Sequence, residues 1–318
     1  MAIGYWLLAD DIEDERTVEN MAKARAILKR VKAVKAIRTV TKTMEMVATA
    51  RYRKNHQRVT AIRPYVDQLA ETVRHLVTRG SLTDLEHPLL RSEPSAKRQV
   101  LLVITSNRGL AGSYNSGVLR LATQRVRQLA GEGFEVPLHV VGKRGIQYMR
   151  FRRYAVESSY TQFDNVPAYE LVREIADGFL TRFIAGEISG VEVVYTRFIS
   201  TGKQSPVIAP VLPLSDIGGA SGAGAPADPG RQPSYELIPS AKELFDRLLP
   251  LTVRMKIFQC FLDAAVSEQM MRITAMRSAT DSADEMIHDL TVQYNRSRQA
   301  QITTELAEIM GGSAELSG

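Results

Sequence analysis

Near the end of this chain Leu244, Leu248, Leu251, Met255, Phe258, Leu262 and Ala265 alternate in steps of four and three. After a stutter around Gln269 the stripe resumes at Ile273, Met276, Thr280, Ala283, Ile287, Leu290 and Tyr294. A heptad seam of this length commits the segment to a long helix that must lie against another helix. The other end of the chain supplies a candidate partner. Ile27, Val31, Val34, Arg38, Thr41, Met44 and Ala48 keep the same three-four spacing, broken only by the charge of Arg38. Fifty residues of helix reach ~75 Å, beyond the width of one small domain. The pattern therefore predicts an antiparallel pair of terminal helices mounted on a compact middle, a shape that suits mechanics or scaffolding before catalysis.

The expected segments are a flexible acidic extension over 1–20, a shaft helix over 21–80, a central α/β domain over 98–215, a mobile Gly/Ala/Pro loop over 216–234 and a second shaft helix over 240–311. Pro64 and Pro250 should interrupt or kink the helices, and Gly311-Gly312 should end the second. Between them, Gln99–Thr105 reads as a buried strand followed by a glycine-rich turn and a helix to about Ala130. Further strands are expected at Val136–Val141, Ala155–Tyr160 and Val191–Phe198. Helices near Lys143–Arg150 and Ala168–Ala185 separate them, and Val207–Leu214 adds an edge strand. Alternation at this pitch implies βαβ units on a parallel sheet.

Apolar content of 44% and charged content of 24% exclude wholesale disorder. One cysteine, Cys260, excludes an intrachain disulfide framework. No apolar run approaches the ~20 residues of a membrane span. Ile3–Ala9 is short and followed by acids, which makes it a poor signal peptide. The net charge of +6 is unevenly placed: Met21 to Arg63 carries thirteen Lys or Arg and one acid, Glu45. That face can be solvated, can bind nucleic acid, or can dock on an acidic protein surface.

No catalytic constellation is legible. Thr105–Asn115 follows a strand and opens a helix, where phosphate loops sit, but it has neither GxGxxG nor GxxxxGK[ST]; tight-turn glycines are the simpler reading. The histidines at 56, 75, 87, 139 and 288 lack ligand spacing, so neither metal nor cofactor is expected.

Three segments in order resemble the gamma subunit of F-type ATP synthases: Val40-Thr-Lys-Thr-Met-Glu-Met-Val-Ala-Thr-Ala-Arg-Tyr-Arg-Lys54 with Arg63-Pro64-Tyr65, the Ser106–Asn115 turn, and Ser267–Asp281 running on through Tyr294–Ile309. Asn107 stands where the family usually has Asp, and Ala111 where it often has Cys. The resemblance implies a fold of α/β plus coiled coil, in which long antiparallel N- and C-terminal helices form a shaft beside a central Rossmann-like parallel-sheet domain. It implies a non-catalytic rotor that turns inside an alpha–beta hexamer and couples ion flow through the membrane sector to ATP synthesis or hydrolysis at the beta subunits. Epsilon and the c-ring are implied as further partners, with attachment to the cytoplasmic face of the cell membrane only through the complex. By similarity Met44, Arg272, Gln299, Thr303 and Glu305 meet the catalytic ring, and Lys35, Arg38, Lys42 and Arg51 face acidic beta loops. The competing reading is a basic coiled coil that binds nucleic acid. A nucleotide-using middle domain is a weaker one.

Overall fold

The computed structural model describes residues 4–79, 87–90, 96–163, 166–214 and 241–315. The expected mobile loop at 216–234 lies outside them. Two helices dominate, α1 (Gly4–Arg79) and α5 (Ala241–Glu315), and the chain divides into two compact units. One comprises residues 1–47 and 274–318, the other residues 48–273.

The second unit is built on a five-stranded sheet. Its elements are β1 (Gln99–Ile104), α2 (Tyr114–Gly131), β2 (Leu138–Val141), α3 (Lys143–Phe151), β3 (Val156–Tyr160), α4 (Tyr169–Ile184), β4 (Gly190–Ser200) and β5 (Lys203–Leu212). Strand order is β3-β2-β1-β4-β5, parallel throughout except for β5, which runs antiparallel to β4. The order reverses between β1 and β4, the point at which sheets of this kind open a crevice for ligands. β1 shows why both faces are covered. Val100, Leu102 and Ile104 face a core shared with α4 and the long helices, while Leu101 and Val103 face α2 and α3. The expected edge strand begins earlier than Val207 because Pro206 and Pro210 sit where an edge strand tolerates a missing N–H.

Four expectations about the long helices are not met, two of them because packing outweighs a proline. α1 passes through Pro64 and α5 through Pro250 without a break. A helix-interior proline costs about 3 kcal/mol. Here that cost is opposed by flanking residues buried in the core: Val59, Val66 and Leu69 around the first, Phe245, Leu249 and Val253 around the second. α1 is helical from Gly4, ahead of the expected start at Met21, and α5 continues past Gly311-Gly312 to Glu315.

In the second unit α5 buries more than the expected stripe. Phe245, Leu249, Val253, Ile257, Phe261 and Ala264 form another, and all are buried, whereas Leu244, Leu248 and Leu251 are half-buried. A helix apolar on most sides is one enclosed on most sides.

The first unit is a helix pair. Ala24, Val31, Thr41 and Glu45 of α1 and Met276, Thr280 and Ala283 of α5 are buried. Glu45 takes the seam place expected of Met44, which is half-buried one residue earlier, because Glu45 continues the four-three alternation from Thr41 to Ala48. Arg38 pairs with Asp284, Thr41 with Thr280 and Glu45 with Arg277, so seven positions forward on one helix match seven back on the other. The pairing is antiparallel and in register. Among the alanines of the long helices, Ala283 is buried and Ala275 and Ala279 half-buried in this unit, while in the other Ala48 is buried and Ala50 exposed.

Candidate functional site

The space between the β1–α2 connection, beside the sheet reversal, and the start of α3 is filled by the chain itself. Three backbone N–H groups at the start of α3 would be free to cradle an anion. Each has an acceptor from the β1–α2 connection. Lys143 N donates to Asn107 Oδ1 at 3.0 Å, Arg144 N to the Ser106 carbonyl at 3.1 Å and Gly145 N to Thr105 Oγ1 at 3.0 Å. The Asn107 amide donates in turn to the carbonyls of Thr161 at 2.9 Å and Phe163 at 3.3 Å, a bond the carboxylate of an aspartate could not make. Gly142, at φ 93°, has the Thr105 carbonyl oxygen 2.3 Å from where a Cβ would stand. On the other side Arg272 of α5 is buried, pairs with Glu268 at 2.8 Å and reaches the Gly109 carbonyl at 3.4 Å. Gly112 and Leu110, both at positive φ, turn the connection. The glycines shape a tight turn, and the donors that a phosphate needs are occupied.

Arg272 thereby departs from its expected place on a partner-facing surface: its guanidinium is bonded inside its own unit. The other expected residues distribute differently. Lys35, Arg38, Lys42, Gln299 and Thr303 are exposed and Met44 and Arg51 half-buried; the Glu305 side chain lies outside the described residues. Thr303 Oγ1 donates to the Gln299 carbonyl at 2.9 Å. Arg38 is paired with Asp284 and Lys42 with Glu45 at 3.1 Å, so part of the basic face answers acids of the same unit. Lys42 first, and Arg277 with it, hold the Glu45 carboxyl below its ordinary range against the opposing effect of burial.

A second apolar stripe on α1 was not drawn from the sequence. Ile37, Val40 and Val47 are 55%, 58% and 47% exposed, and with half-buried Met44 they repeat the three-four-three spacing. At 100° per residue this stripe lies roughly 110° round the helix from the seam. The signal was present in the spacing, but one helix carried two apolar faces and only one can meet α5.

A sequence profile described as ATP synthase matches residues 23–316. The ATP synthase gamma chain of Rhodopirellula baltica is 43% identical over 298 residues, covering 94% of this chain and all of that one. The gamma chain of Frankia casuarinae is 37% identical over 296 residues, covering 92% and 97%. This chain belongs to the ATP synthase gamma chain family. Solved relatives share the fold. A chain of the Euglena gracilis mitochondrial ATP synthase in its OSCP/F1/c-ring assembly aligns at TM-score 0.61 and 17% identity, over 93% of this chain and 95% of that one. A chain of the Tetrahymena thermophila central stalk and c-ring aligns at 0.54 and 21%, over 76% and 99%. Among the described residues no helix is long and apolar enough to cross a membrane.

Proposed function

We propose that the chain is the central-stalk rotor subunit of an ion-translocating F-type ATP synthase. It turns inside an alpha–beta hexamer and transmits torque between a c-ring and the beta subunits, with epsilon beside it. The subunit carries no chemistry of its own and is a peripheral component on the cytoplasmic face of the cell membrane. The observation that carries this reading is the exposed stripe of Ile37, Val40 and Val47 beside Met44. The helix pair satisfies its own seam and still presents apolar side chains among cations, as a bearing against an apolar sleeve with acidic loops requires. Met44, Gln299, Thr303 and Glu305 supply the contact with the catalytic ring, and Lys35, Arg38, Lys42 and Arg51 the basic face toward beta. Arg272 acts from within, bracing α5 on the Gly109 loop. Nucleic-acid binding has no observation in its favour.

Replacing Met44 by Lys adds a charge at the border of seam and stripe. A charged hydrogen bond gained in one rotary state and absent in the next is worth about 1.5–3 kcal/mol. Assembly and hydrolysis should survive, while ATP-driven ion uptake into inverted vesicles, normalised to hydrolysis, falls. An unchanged ratio removes Met44 from the coupling surface. Failure of the chain to co-purify with alpha and beta subunits from native membranes would sink the reading as a whole.

A further inference from the structure

Between Tyr114 and Tyr154 the sequence holds eight Lys or Arg (positions 120, 125, 127, 143, 144, 150, 152 and 153) against two acids, Glu132 and Glu135. The fold gathers part of this excess. Arg120, Thr123 and Arg127 of α2 face Tyr148, Arg152 and Tyr154 at the end of α3 across a cleft of about 440 Å³. A recess of about 400 Å³ continues from it along α2 to Gln124 and Gln128.

The chemistry of the lining is one-sided. Arg125, on another face of α2, is held by both oxygens of Glu192 at 2.6 and 2.7 Å. Among the described residues Arg120, Arg127 and Arg152 have no such carboxylate. The Arg152 guanidinium carbon lies over the Tyr148 ring, 5.7 Å from its centre, within cation–π range. Thr123 gives its hydroxyl proton to the carbonyls of Leu119 and Arg120, at 2.9 Å each. The donors that remain are three guanidinium forks, two tyrosine hydroxyls and two glutamine amides. Guanidinium forks of this kind match the oxygens of phosphate.

We propose that the α2–α3 cleft is a binding site for a phosphate-bearing polyanion, independent of the rotor surface and of the occupied turn at Ser106–Asn115. Two sources carry that chemistry, a free oligophosphate and the head groups of anionic phospholipid. Phe151, one helical turn from Tyr148, is 83% exposed. An interface of lipid would take up that ring, and a free oligophosphate would leave it in water.

The test uses the full-length chain. One arm titrates inorganic pyrophosphate by calorimetry; the other sediments the chain with phosphatidylglycerol vesicles against phosphatidylcholine vesicles. Saturable binding is expected in at least one arm, and Arg120→Glu with Arg152→Glu should weaken it about tenfold or more. Arg58→Glu with Lys203→Glu makes the same change of net charge on exposed residues outside the cleft and should leave it unaltered. Arg127→Gln, a single exposed change, should weaken it several-fold and guards against misfolding of the double variant. Binding of pyrophosphate unaffected by Phe151→Ala assigns a free oligophosphate, and vesicle binding that Phe151→Ala reduces assigns the head group. No saturable binding in either arm, or equal loss in both charge-reversal pairs, overturns the proposal.

Discussion

Glu45 and Asp263 sit on the two long helices, and both are covered, at 6% and 2% exposure. Their chemistry nevertheless diverges. In the helix pair, Lys42 and Arg277 draw the Glu45 carboxyl down. In the sheet-containing unit, burial pushes Asp263 up to about 6, although Arg63 and Arg197 both pull the other way. One oxygen of Asp263, Oδ1, has no hydrogen-bond partner among the described residues. Coverage by a few side chains on a two-helix rod leaves water close at hand, whereas enclosure by α1, β4 and the rest of a core removes it. The two units are thus stabilised differently, one by register-specific polar contacts and the other by apolar burial.

The largest test of this contrast is Phe261→Ala. The ring is buried in the sheet-containing core and packs 4.8 Å from Phe163 between centroids. Truncation should cost about 3–5 kcal/mol of unfolding free energy in a denaturant titration. A loss under 1 kcal/mol would mean that this unit is not held by burial.

Asp263→Asn should act in the opposite direction. A carboxyl raised above its unfolded value costs the folded state nothing below the unfolded pKa. The penalty grows as pH rises from there through about 6, and is complete above it. The variant should therefore gain about 1–3 kcal/mol at pH 8 relative to its difference at pH 4. Parallel pH profiles for the two proteins would show the carboxylate already well solvated.

The smallest effect, and the sharpest contrast in sign, belongs to Glu45→Gln. A depressed carboxyl contributes stability above its unfolded pKa and loses it as pH falls through the lower folded value. Arg277 and Lys42 are largely exposed, so the contribution is about 0.2–1 kcal/mol. In the native protein thermal stability should drop in that acid range, and in the variant this part of the drop should vanish. An identical acid limb would detach Glu45 from the pairing.

Sequence read best where one periodicity had one cause. β1 is a continuous apolar run because helices cover both faces of the sheet, and the distal seam of α5 showed plainly because its buried positions there pair with α1 alone among the described residues. It read poorly where several neighbours compete. Leu244 and Leu248 looked like the core, yet Phe245 and Leu249 are deeper, since α5 touches neighbours on most of its circumference. Pro64 and Pro250 carry a local veto that long-range burial outweighs. Arg272 was expected at the catalytic ring by similarity alone, and its partners in this chain, Glu268 and the Gly109 carbonyl, are not legible in sequence. Ile37, Val40 and Val47 were written in the spacing, but spacing does not say which of two apolar faces a helix turns inward.

The hydroxyl pair of Thr41 and Thr280, flanked one turn either way by Arg38–Asp284 and Glu45–Arg277, acts as a shear key. Sliding one helix past the other by a single residue is a displacement of about 1.5 Å, which breaks all three contacts together. Bending the pair also makes the two helices slide past one another, so the same three contacts oppose it. A rod keyed in this way meets slip and sideways load as one body, as a glued laminate does, rather than as two loose strands of a cable.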